Sequence, residues 1–393
     1  MVRIGLLTSG GDCQALNATM RGIVKTVVNL STEPVEIYGF EDGYQGMIYK
    51  RYRKMAPVDF SGILTRGGTI LGTSRTPFKR LDTPEADGVD KVAAMKETYR
   101  ELKLDCLFML GGNGSTKTAN RLREEGLSVI ALPKTIDNDT WGTDLTFGFT
   151  SAVEIATKCI DDIHTTASSH GRVFVIEIMG HKVGWIPLYA AVAGGADVCL
   201  IPEIPYDMDN VIAAINRRMQ AGARFTIIVV AEGAISRDEA TLSKKEYKKL
   251  VAARTSPSIV YDIAREIEAR TGRETRVAIP GHTQRGGQPD AQDPRVRHAV
   301  RRRGGFGFPG GGERLYGRAA LWQDVPRAAG GGRRQAQVRR PGSDLVHEAR
   351  SLASPWRRGL IGLESLHVVA HAHVRLDHRR CEGRPLSSCV GSA

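Results

Sequence analysis

The segment LSVIALPKTIDNDTWGTD, residues 127–144, ends an apolar run in a cluster of carboxylates. Its β-branched first half predicts a buried strand, and Asp137, Asp139 and Asp144 follow in a loop with Lys134. In open α/β sheets, ligands bind at the carboxyl ends of the strands. Phosphoryl transfer requires one carboxylate that takes a proton from an attacking hydroxyl and another that holds Mg²⁺. The loop is therefore a candidate phosphotransfer site, with a plain polar turn as the alternative.

Two glycine-rich segments, TSGGDCQALNA (residues 8–18) and LGGNGSTKT (residues 110–118), each follow an apolar run. Glycine lets the backbone approach an anion, and the N–H groups at the start of a helix then bind phosphate. Neither segment matches the P-loop pattern or the Rossmann fingerprint. Their equivalent positions after two predicted strands favour phosphate binding over simple tight turns.

Basic side chains form a third group. The segment TRVAIPGHTQRGG, residues 275–287, is a predicted strand followed by a histidine and an arginine. Arg276, His282 and Arg285, with Arg172 from SSHGR, have the charge and shape to surround a dianionic phosphate. A solvated basic face is the alternative for each of them.

Alternating strand-like and helix-like runs must position these residues. VRIGLLTSGG, LDCLFMLGGNGS and LSVIALPKTIDND are each followed by a helical pattern, which predicts βαβ units and a parallel sheet covered on both faces. The later runs RVFVIEIMG, DVCLIPEI and RFTIIVVAEG imply a second sheet. We therefore predict an α/β fold with two domains, each a mostly parallel sheet covered by helices, and an active site in the cleft between them.

The composition, 41% hydrophobic and 25% charged over 393 residues, supports one large or two ordinary globular domains. No apolar run approaches the roughly 20 residues of a membrane span, and MVRIGLLTSGGD lacks a signal-peptide pattern, so a cytoplasmic location is expected. Cys13, Cys106, Cys159 and Cys199 lie in or beside apolar runs at unrelated spacings. This pattern indicates reduced thiols rather than disulfides or a zinc site.

The C-terminal region differs in composition from the rest. Residues 294–393 contain 19 Arg, no Lys and 7 Asp plus Glu, so they carry the entire net charge of +12. An Arg-rich, disordered extension that binds RNA is the ordinary interpretation. We favour a shifted reading frame. Deleting one C from plausible GC-rich codons after Asp293 gives Asp-Arg-Val-Phe-Ala-Thr-Arg-Phe, the start of an amphipathic helix.

The segment SDLVHEARSL, residues 343–352, again has a helical pattern and is consistent with a return to frame. His367, His371 and His373 have metal-like spacing, but we do not expect a metal site there. Sequencing the DNA at the Asp293 codon tests the hypothesis, and an unbroken frame encoding Pro294 would contradict it.

Eight motifs occur in the order found in 6-phosphofructokinases: GGD...LNA...RG, GGTILGTSR, GGNGS, PKTIDND, SSHGR, IMGHKVGW, AEG and GHTQRGG. The chain is thereby identified as a member of the phosphofructokinase A family over essentially residues 1–293. The resemblance implies a Mg²⁺-dependent glycolytic enzyme that phosphorylates the 1-hydroxyl of fructose 6-phosphate from ATP or pyrophosphate. It implies a phosphoryl-donor domain in residues 1–148, with 284–293 returning to it, and a fructose 6-phosphate domain in 149–283. Residues 294–393 are then an aberrant, poorly ordered tail, which would leave apolar surface uncovered.

The resemblance also assigns roles to individual residues. Asp137 matches the general base, Thr135 binds substrate beside it, and Asp139 acts at the same centre and assists metal binding. The other matching positions form three groups: Gly11, Arg75, Gly112, Asn113, Gly114, Ser115 and Lys134 at the donor; Met179, Gly180, His181 and Glu232 at the sugar; Arg276, His282 and Arg285 at the 6-phosphate. In tetrameric members, a neighbouring subunit supplies Arg172 and Arg276, so we expect a homo-oligomer, a dimer or a tetramer.

Three positions depart from the usual family pattern. Asn113 replaces an aspartate that helps to hold Mg²⁺, and His181 replaces an arginine at the transferring phosphate. Lys134 is typical of pyrophosphate users, whereas Gly114 is typical of ATP users because a side chain there would collide with the α-phosphate. The steric argument favours ATP, with pyrophosphate as the alternative.

Regulation and loss of activity are separate questions. Arg21 and Lys25 match basic residues of the bacterial effector site, but His164 replaces another, so control by the usual effectors is not expected.

A catalytically impaired relative with a regulatory or RNA-binding role is the alternative from a different class. The loop that follows the predicted strand keeps Thr135, Asp137 and Asp139, which argues against a catalytically impaired relative. Nucleic acid is not an expected partner.

Overall fold

Two β-sheets carry the fold, and the computed structural model describes residues 1–84, 87–140 and 142–293 of the chain. The first sheet has the strand order β3-β2-β1-β4-β5. Its strands are β1 (Val2–Ser9), β2 (Val35–Phe40), β3 (Tyr52–Met55), β4 (Cys106–Gly111) and β5 (Val129–Pro133). All neighbours are parallel except the exposed edge strand β3, which pairs antiparallel with β2.

Among the described residues, four α-helices belong to this first half of the chain. They are α1 (Leu16–Leu30), α2 (Tyr44–Ile48), α3 (Lys91–Glu101) and α4 (Asn113–Glu124). α1 follows the first predicted glycine loop, and its apolar face is buried because Leu16, Met20, Ile23 and Val27 recur at helical spacing. α4 begins inside the second glycine loop, earlier than the helical pattern from Thr116 predicts.

The second sheet is wholly parallel, with the strand order β7-β8-β6-β9. Its strands are β6 (Val173–Ile178), β7 (Val198–Leu200), β8 (Thr226–Ala231) and β9 (Thr275–Ala278). Its helices are α5 (Phe149–His170), α6 (Trp185–Ala193), α7 (Met208–Gln220), α8 (Arg237–Thr241), α9 (Lys244–Ala253) and α10 (Ile259–Thr271). The predicted α/β fold with two mostly parallel sheets is confirmed.

The two sheets share one apolar cluster. It contains Ile4 of β1, Ile176 of β6 and Ile227 of β8, together with Phe149 and Ile160 of α5. Each buried side chain of this size stabilises the fold by about 1.5–3 kcal/mol relative to an exposed one. Helix α5 therefore packs in the same apolar core as strands of both sheets.

Asp293 caps the N-terminus of α5 from a distant part of the sequence. Its buried carboxylate accepts a hydrogen bond from the Gly148 N–H (2.9 Å) and another from the Ser151 hydroxyl. Burial raises the pKa of Asp293, and the bonds from Ser151 and Gly148 oppose that shift. We expect Asp293→Ala to destabilise the chain by about 1–2 kcal/mol, as loss of a helix cap does. Urea unfolding checks this, with the exposed Asp161→Ala as the control.

The described residues include four cysteines. Cys13, Cys106, Cys159 and Cys199 are free, and all but Cys159 are buried. Among the described residues, no helix is both long and apolar enough to cross a membrane. The predictions for residues 294–393, including the frame shift and the three histidines, lie outside the described residues.

Candidate active site

The first glycine loop follows β1 and is held by the segment that carries Arg75. Gly10 has φ +87°, a conformation that favours glycine, and its N–H donates to the Ser74 carbonyl (3.0 Å). The Thr73 hydroxyl donates back to the Gly10 carbonyl (2.7 Å). These two bonds place the exposed Arg75 directly beside the first glycine loop.

The second glycine loop joins β4 to α4. Gly112 precedes the helix, so the backbone N–H groups of Asn113, Gly114 and Ser115 occupy its first turn. The Ser115 hydroxyl donates to the Ser9 Oγ (2.9 Å), which ties this turn to the end of β1. A Cβ placed on Gly114 would have no atom within 4 Å, so the space in front of this residue is open.

The acidic loop follows β5 and is shaped by its own side chains. Asn138 has φ +51°, and its Oδ1 accepts from the Thr146 N–H (3.0 Å). The Thr146 hydroxyl donates to the Thr135 carbonyl (2.6 Å), while the Thr135 Oγ1 accepts from the Asp137 N–H (3.2 Å). The loop therefore holds Asp137 in a fixed backbone geometry at the carboxyl end of the first sheet.

The Asp137 carboxyl lies at the meeting point of both halves of the chain. Burial, with the Asp139 and Glu232 carboxylates, raises the pKa of Asp137 to about 6, and Arg285 and His181 oppose the rise. Glu232 and His181 lie in loops that follow β8 and β6 of the second sheet. An aspartate with a pKa near neutrality suits proton abstraction, because it is ionised at working pH yet still basic.

We expect the pKa of Asp137 to appear in the pH profile. Only the ionised carboxylate accepts a proton, so kcat/KM should fall about tenfold per pH unit below the pKa, which is about 6 in the free protein. A sugar phosphate titrates in the same range. Asp139→Asn separates the two, because removing its charge lowers the pKa of Asp137. An acid limb that stays in place in this variant would belong to the substrate.

Lys134 is buried beneath the first glycine loop. Only 3% of its surface is exposed, and its ammonium donates to the Gly11 carbonyl. Burial lowers the pKa of Lys134, while the nearby Asp12 and Asp137 carboxylates oppose that shift. The side chain thus links the acidic loop to the first glycine loop.

Asn113 and Asp139 lie in contact, with the Asn113 Nδ2 donating to the Asp139 Oδ2 (2.9 Å). Burial raises the pKa of Asp139, and His181 and Asn113 oppose the rise. Among the described residues, no group of three or more His, Cys, Asp and Glu side chains is arranged to hold a metal ion. One carboxylate and one amide oxygen still fit Mg²⁺, which takes few protein ligands and the phosphates of its substrate.

The residues that are predicted to contact the sugar follow β6 and β8. The Glu232 Oε1 accepts from the Gly180 N–H (3.3 Å) and from the His181 N–H. His181 has φ +54°, and a Cβ on Gly233 would lie 2.1 Å from the His181 carbonyl oxygen. Glu232 and the segment 179–181 therefore form one tightly packed unit.

Arg172 and Arg276 lie together but away from this unit. The Arg172 Nε donates to the Glu274 Oε2 (2.6 Å), and Arg276 pairs with the other oxygen of the same carboxylate. Arg172 precedes the six-residue strand β6, whereas Met179 follows it, so about 20 Å of extended chain separates them. Within this chain, the two arginines do not join the group around Asp137.

The 3₁₀ turn Gly281–Arg285 carries the other two predicted phosphate ligands. His282 is exposed. The Arg285 Nη1 donates to the Asp12 carbonyl (3.1 Å) and packs against Gly11, where an added Cβ would lie 2.9 Å away. Arg285 therefore lies against the first glycine loop, and its positive charge acts on the Asp137 carboxyl.

The effector-site positions have local partners. The Arg21 Nη1 donates to the Phe60 carbonyl (2.8 Å), and the His164 Nε2 donates to the Gly194 carbonyl (2.7 Å).

Two buried glutamines near the site carry no sequence signal of their own. Gln14 and Gln284 are fully buried, and the Gln14 Nε2 donates to the Gln284 carbonyl (2.9 Å). Neither glutamine is charged, so charge patterning cannot single them out. Both lie in motifs, TSGGDCQALNA and GHTQRGG, whose predicted roles rest on other residues.

The fold and these contacts define an α/β protein with a charged site at the carboxyl ends of strands from two sheets. The family model for Phosphofructokinase matches residues 3–300. The chain belongs to this family.

Two curated relatives extend the comparison. The chain is 54% identical over 293 residues to the ATP-dependent 6-phosphofructokinase of Spirochaeta thermophila, covering 74% of this chain and 79% of that protein. It is 41% identical over 357 residues to the ATP-dependent 6-phosphofructokinase of Chloroflexus aurantiacus, covering 89% of this chain and 96% of that protein.

Solved structures support the same fold. Phosphofructokinase from Saccharomyces cerevisiae has a TM-score of 0.64 at 31% identity, and the match covers 76% of this chain and 40% of the yeast chain. This chain thus matches less than half of the yeast chain's length. The pyrophosphate-dependent phosphofructokinase from Nitrosospira multiformis has a TM-score of 0.64 at 19% identity, covering 76% and 74% of the two chains. The latter likeness concerns the fold alone.

Proposed function

We propose that the protein is an ATP-dependent 6-phosphofructokinase. It transfers the γ-phosphoryl group of ATP to the 1-hydroxyl of fructose 6-phosphate and gives fructose 1,6-bisphosphate and ADP. The observation that carries this proposal is the Asp137 carboxyl, which lies among Asp139, Arg285, His181 and Glu232 with a pKa of about 6. Family membership supports glycolysis as the setting and the cytoplasm as the location.

The reaction needs one proton acceptor and a set of cations. Asp137 takes the proton of the 1-hydroxyl as its oxygen attacks the γ-phosphorus, and ADP leaves with the bridging oxygen. Arg75 and the N–H groups of Gly11 and of the α4 N-terminus face the donor phosphates and offset their charge. His181 and Arg285 add positive charge near Asp137. Thr135, Met179, Gly180 and Glu232 orient the sugar.

Mg²⁺ neutralises charge on the donor phosphates when it is bound. Asp139 is the residue that would hold it, with the Asn113 amide oxygen as a neutral second ligand. Because an amide contributes no charge, this chain relies on the nucleotide for much of its metal affinity.

Two observations support ATP over pyrophosphate as the donor. The space in front of Gly114 is open, and the relatives at 54% and 41% identity are named as ATP-dependent enzymes. Lys134, which is typical of pyrophosphate users, favours the alternative donor, pyrophosphate. A coupled assay that supplies each donor in turn tests the choice: phosphorylation with ATP alone is expected, and equal rates with both donors would contradict our interpretation of Gly114.

Residues 1–148 with 284–293 form the proposed donor domain, and residues 149–283 form the fructose 6-phosphate domain.

Kinetic tests use the full chain and, where DNA sequencing reveals a shifted frame, the frame-restored chain. Absence of fructose 6-phosphate phosphorylation in the frame-restored chain would favour a non-enzymatic relative.

A homo-oligomer completes the proposed site. Arg172 lies just before β6 and Arg276 lies near the start of β9, whereas Met179 follows the end of β6. This placement of the two arginines suits a role in a neighbouring subunit's 6-phosphate pocket. Co-expression of Asp137→Ser chains with Arg172→Met chains should then restore activity, because mixed dimers contain one intact site. About a quarter of the original activity is expected for random dimers. Activity no higher than that of either variant alone would contradict shared sites.

A further inference from the structure

We infer that Gln284, supported by Gln14, is a positioning residue that holds the sugar-side segment 179–181 and Arg285 in register with the first glycine loop. This inference rests on the proposed function, since it assigns both segments to one reaction. It concerns a buried bridge between the two halves of the chain rather than a group that contacts substrate.

Gln284 has hydrogen bonds in two directions from one side chain. Its Oε1 accepts from the Met179 N–H (3.3 Å), and its Nε2 donates to the Gly281 carbonyl (3.1 Å). The side chain is fully buried. A buried amide that loses such partners costs about 1–3 kcal/mol, so these bonds strongly favour one orientation.

Gln14 connects the same turn to the donor side. It lies just after Asp12 in the first glycine loop, and its Nε2 donates to the Gln284 carbonyl (2.9 Å). The Gln14 side chain is fully buried, so water does not compete freely for this bond. The chain of contacts thus runs from the first glycine loop through Gln284 to the end of β6.

The bridge reaches chemistry on both sides. Met179 begins the segment whose next two N–H groups bind Glu232, and Arg285 follows Gln284 directly and contacts Asp12. A shift of the turn Gly281–Arg285 would therefore move the sugar contacts and the Arg285 guanidinium together. Small displacements of this kind are costly in phosphoryl transfer, because the reaction depends on aligned reactants.

The first test needs no activity. Gln284→Met preserves the length of the side chain and removes both polar ends, whereas Thr283→Val removes only a bond within the same turn, from Thr283 Oγ1 to the Pro280 carbonyl (2.7 Å). We expect amide hydrogen exchange at Met179 to be about tenfold faster in Gln284→Met and unchanged in Thr283→Val. Urea unfolding of both variants reports whether they fold.

The second test is kinetic. In Gln284→Met, we expect KM for fructose 6-phosphate to rise about tenfold and kcat to fall, while KM for ATP changes less than about twofold. Gln14→Met should act in the same direction.

The outcomes separate the inference from the proposed function. Unchanged Met179 exchange would overturn the bridge, and an equal rise in both KM values would overturn its positioning role. A second outcome combines faster exchange in Gln284→Met with a parent chain that does not phosphorylate fructose 6-phosphate. The bridge would then remain as a structural link, and both the proposed function and the positioning role would be overturned.

Discussion

Asp137→Ser is expected to lower kcat for fructose 6-phosphate phosphorylation by about 10²- to 10⁴-fold, the usual contribution of a general base. Serine keeps a small polar side chain in the loop but accepts the hydroxyl proton poorly. KM for either substrate should change little, because the proposed contacts of Thr135 and Glu232 with the sugar do not depend on the Asp137 carboxyl. A coupled assay of ADP formation measures kcat and both KM values.

The matched control is Asp161→Ser, which removes an exposed aspartate from α5. Its kinetics should equal those of the parent chain, since surface substitutions away from a site have small effects. The raised pKa of Asp137 means that the native state disfavours the charge of its carboxylate. Because serine removes this buried charge, Asp137→Ser should be no less stable to urea than the parent chain. Undiminished turnover in Asp137→Ser would refute the assignment of the base.

Arg75→Met is expected to lower kcat by about 10²- to 10³-fold, as loss of a charged group at a developing transition state does. Arg75 is exposed beside the first glycine loop, where Gly10 and Ser74 are hydrogen-bonded. We propose that its exposed guanidinium meets the transferring phosphoryl group. The unfolding midpoint should therefore stay within experimental error while kcat falls.

Two further variants sharpen this test. Arg75→Lys keeps the charge but loses the planar fork, so partial recovery of kcat is expected. Arg100→Met removes an exposed arginine from the last turn of α3 and should be kinetically silent. If Arg75→Met raises KM for ATP without lowering kcat, Arg75 binds the donor equally in the ground state and does not stabilise the transition state.

The local features of the site followed from the sequence. Apolar runs that end in glycine or in a polar loop predicted β1, β4, β5, β6 and β8, because parallel strands buried on both faces must be apolar throughout. The order of the motifs predicted the family, which the comparisons confirm. The edge strand β3 escaped prediction, since its exposed, polar sequence lacks an apolar pattern.

Positions that depend on long-range packing were decided by the tertiary structure alone. Lys134 is buried against the Gly11 carbonyl, 123 residues away, and Gln14 bonds to Gln284, 270 residues away. Arg172 and Met179 belong to neighbouring motifs, yet β6 places them at opposite ends of a strand. Sequence patterns determine strands and loops because those depend on neighbouring residues, whereas the site's distances and charges arise only when the two sheets share a core.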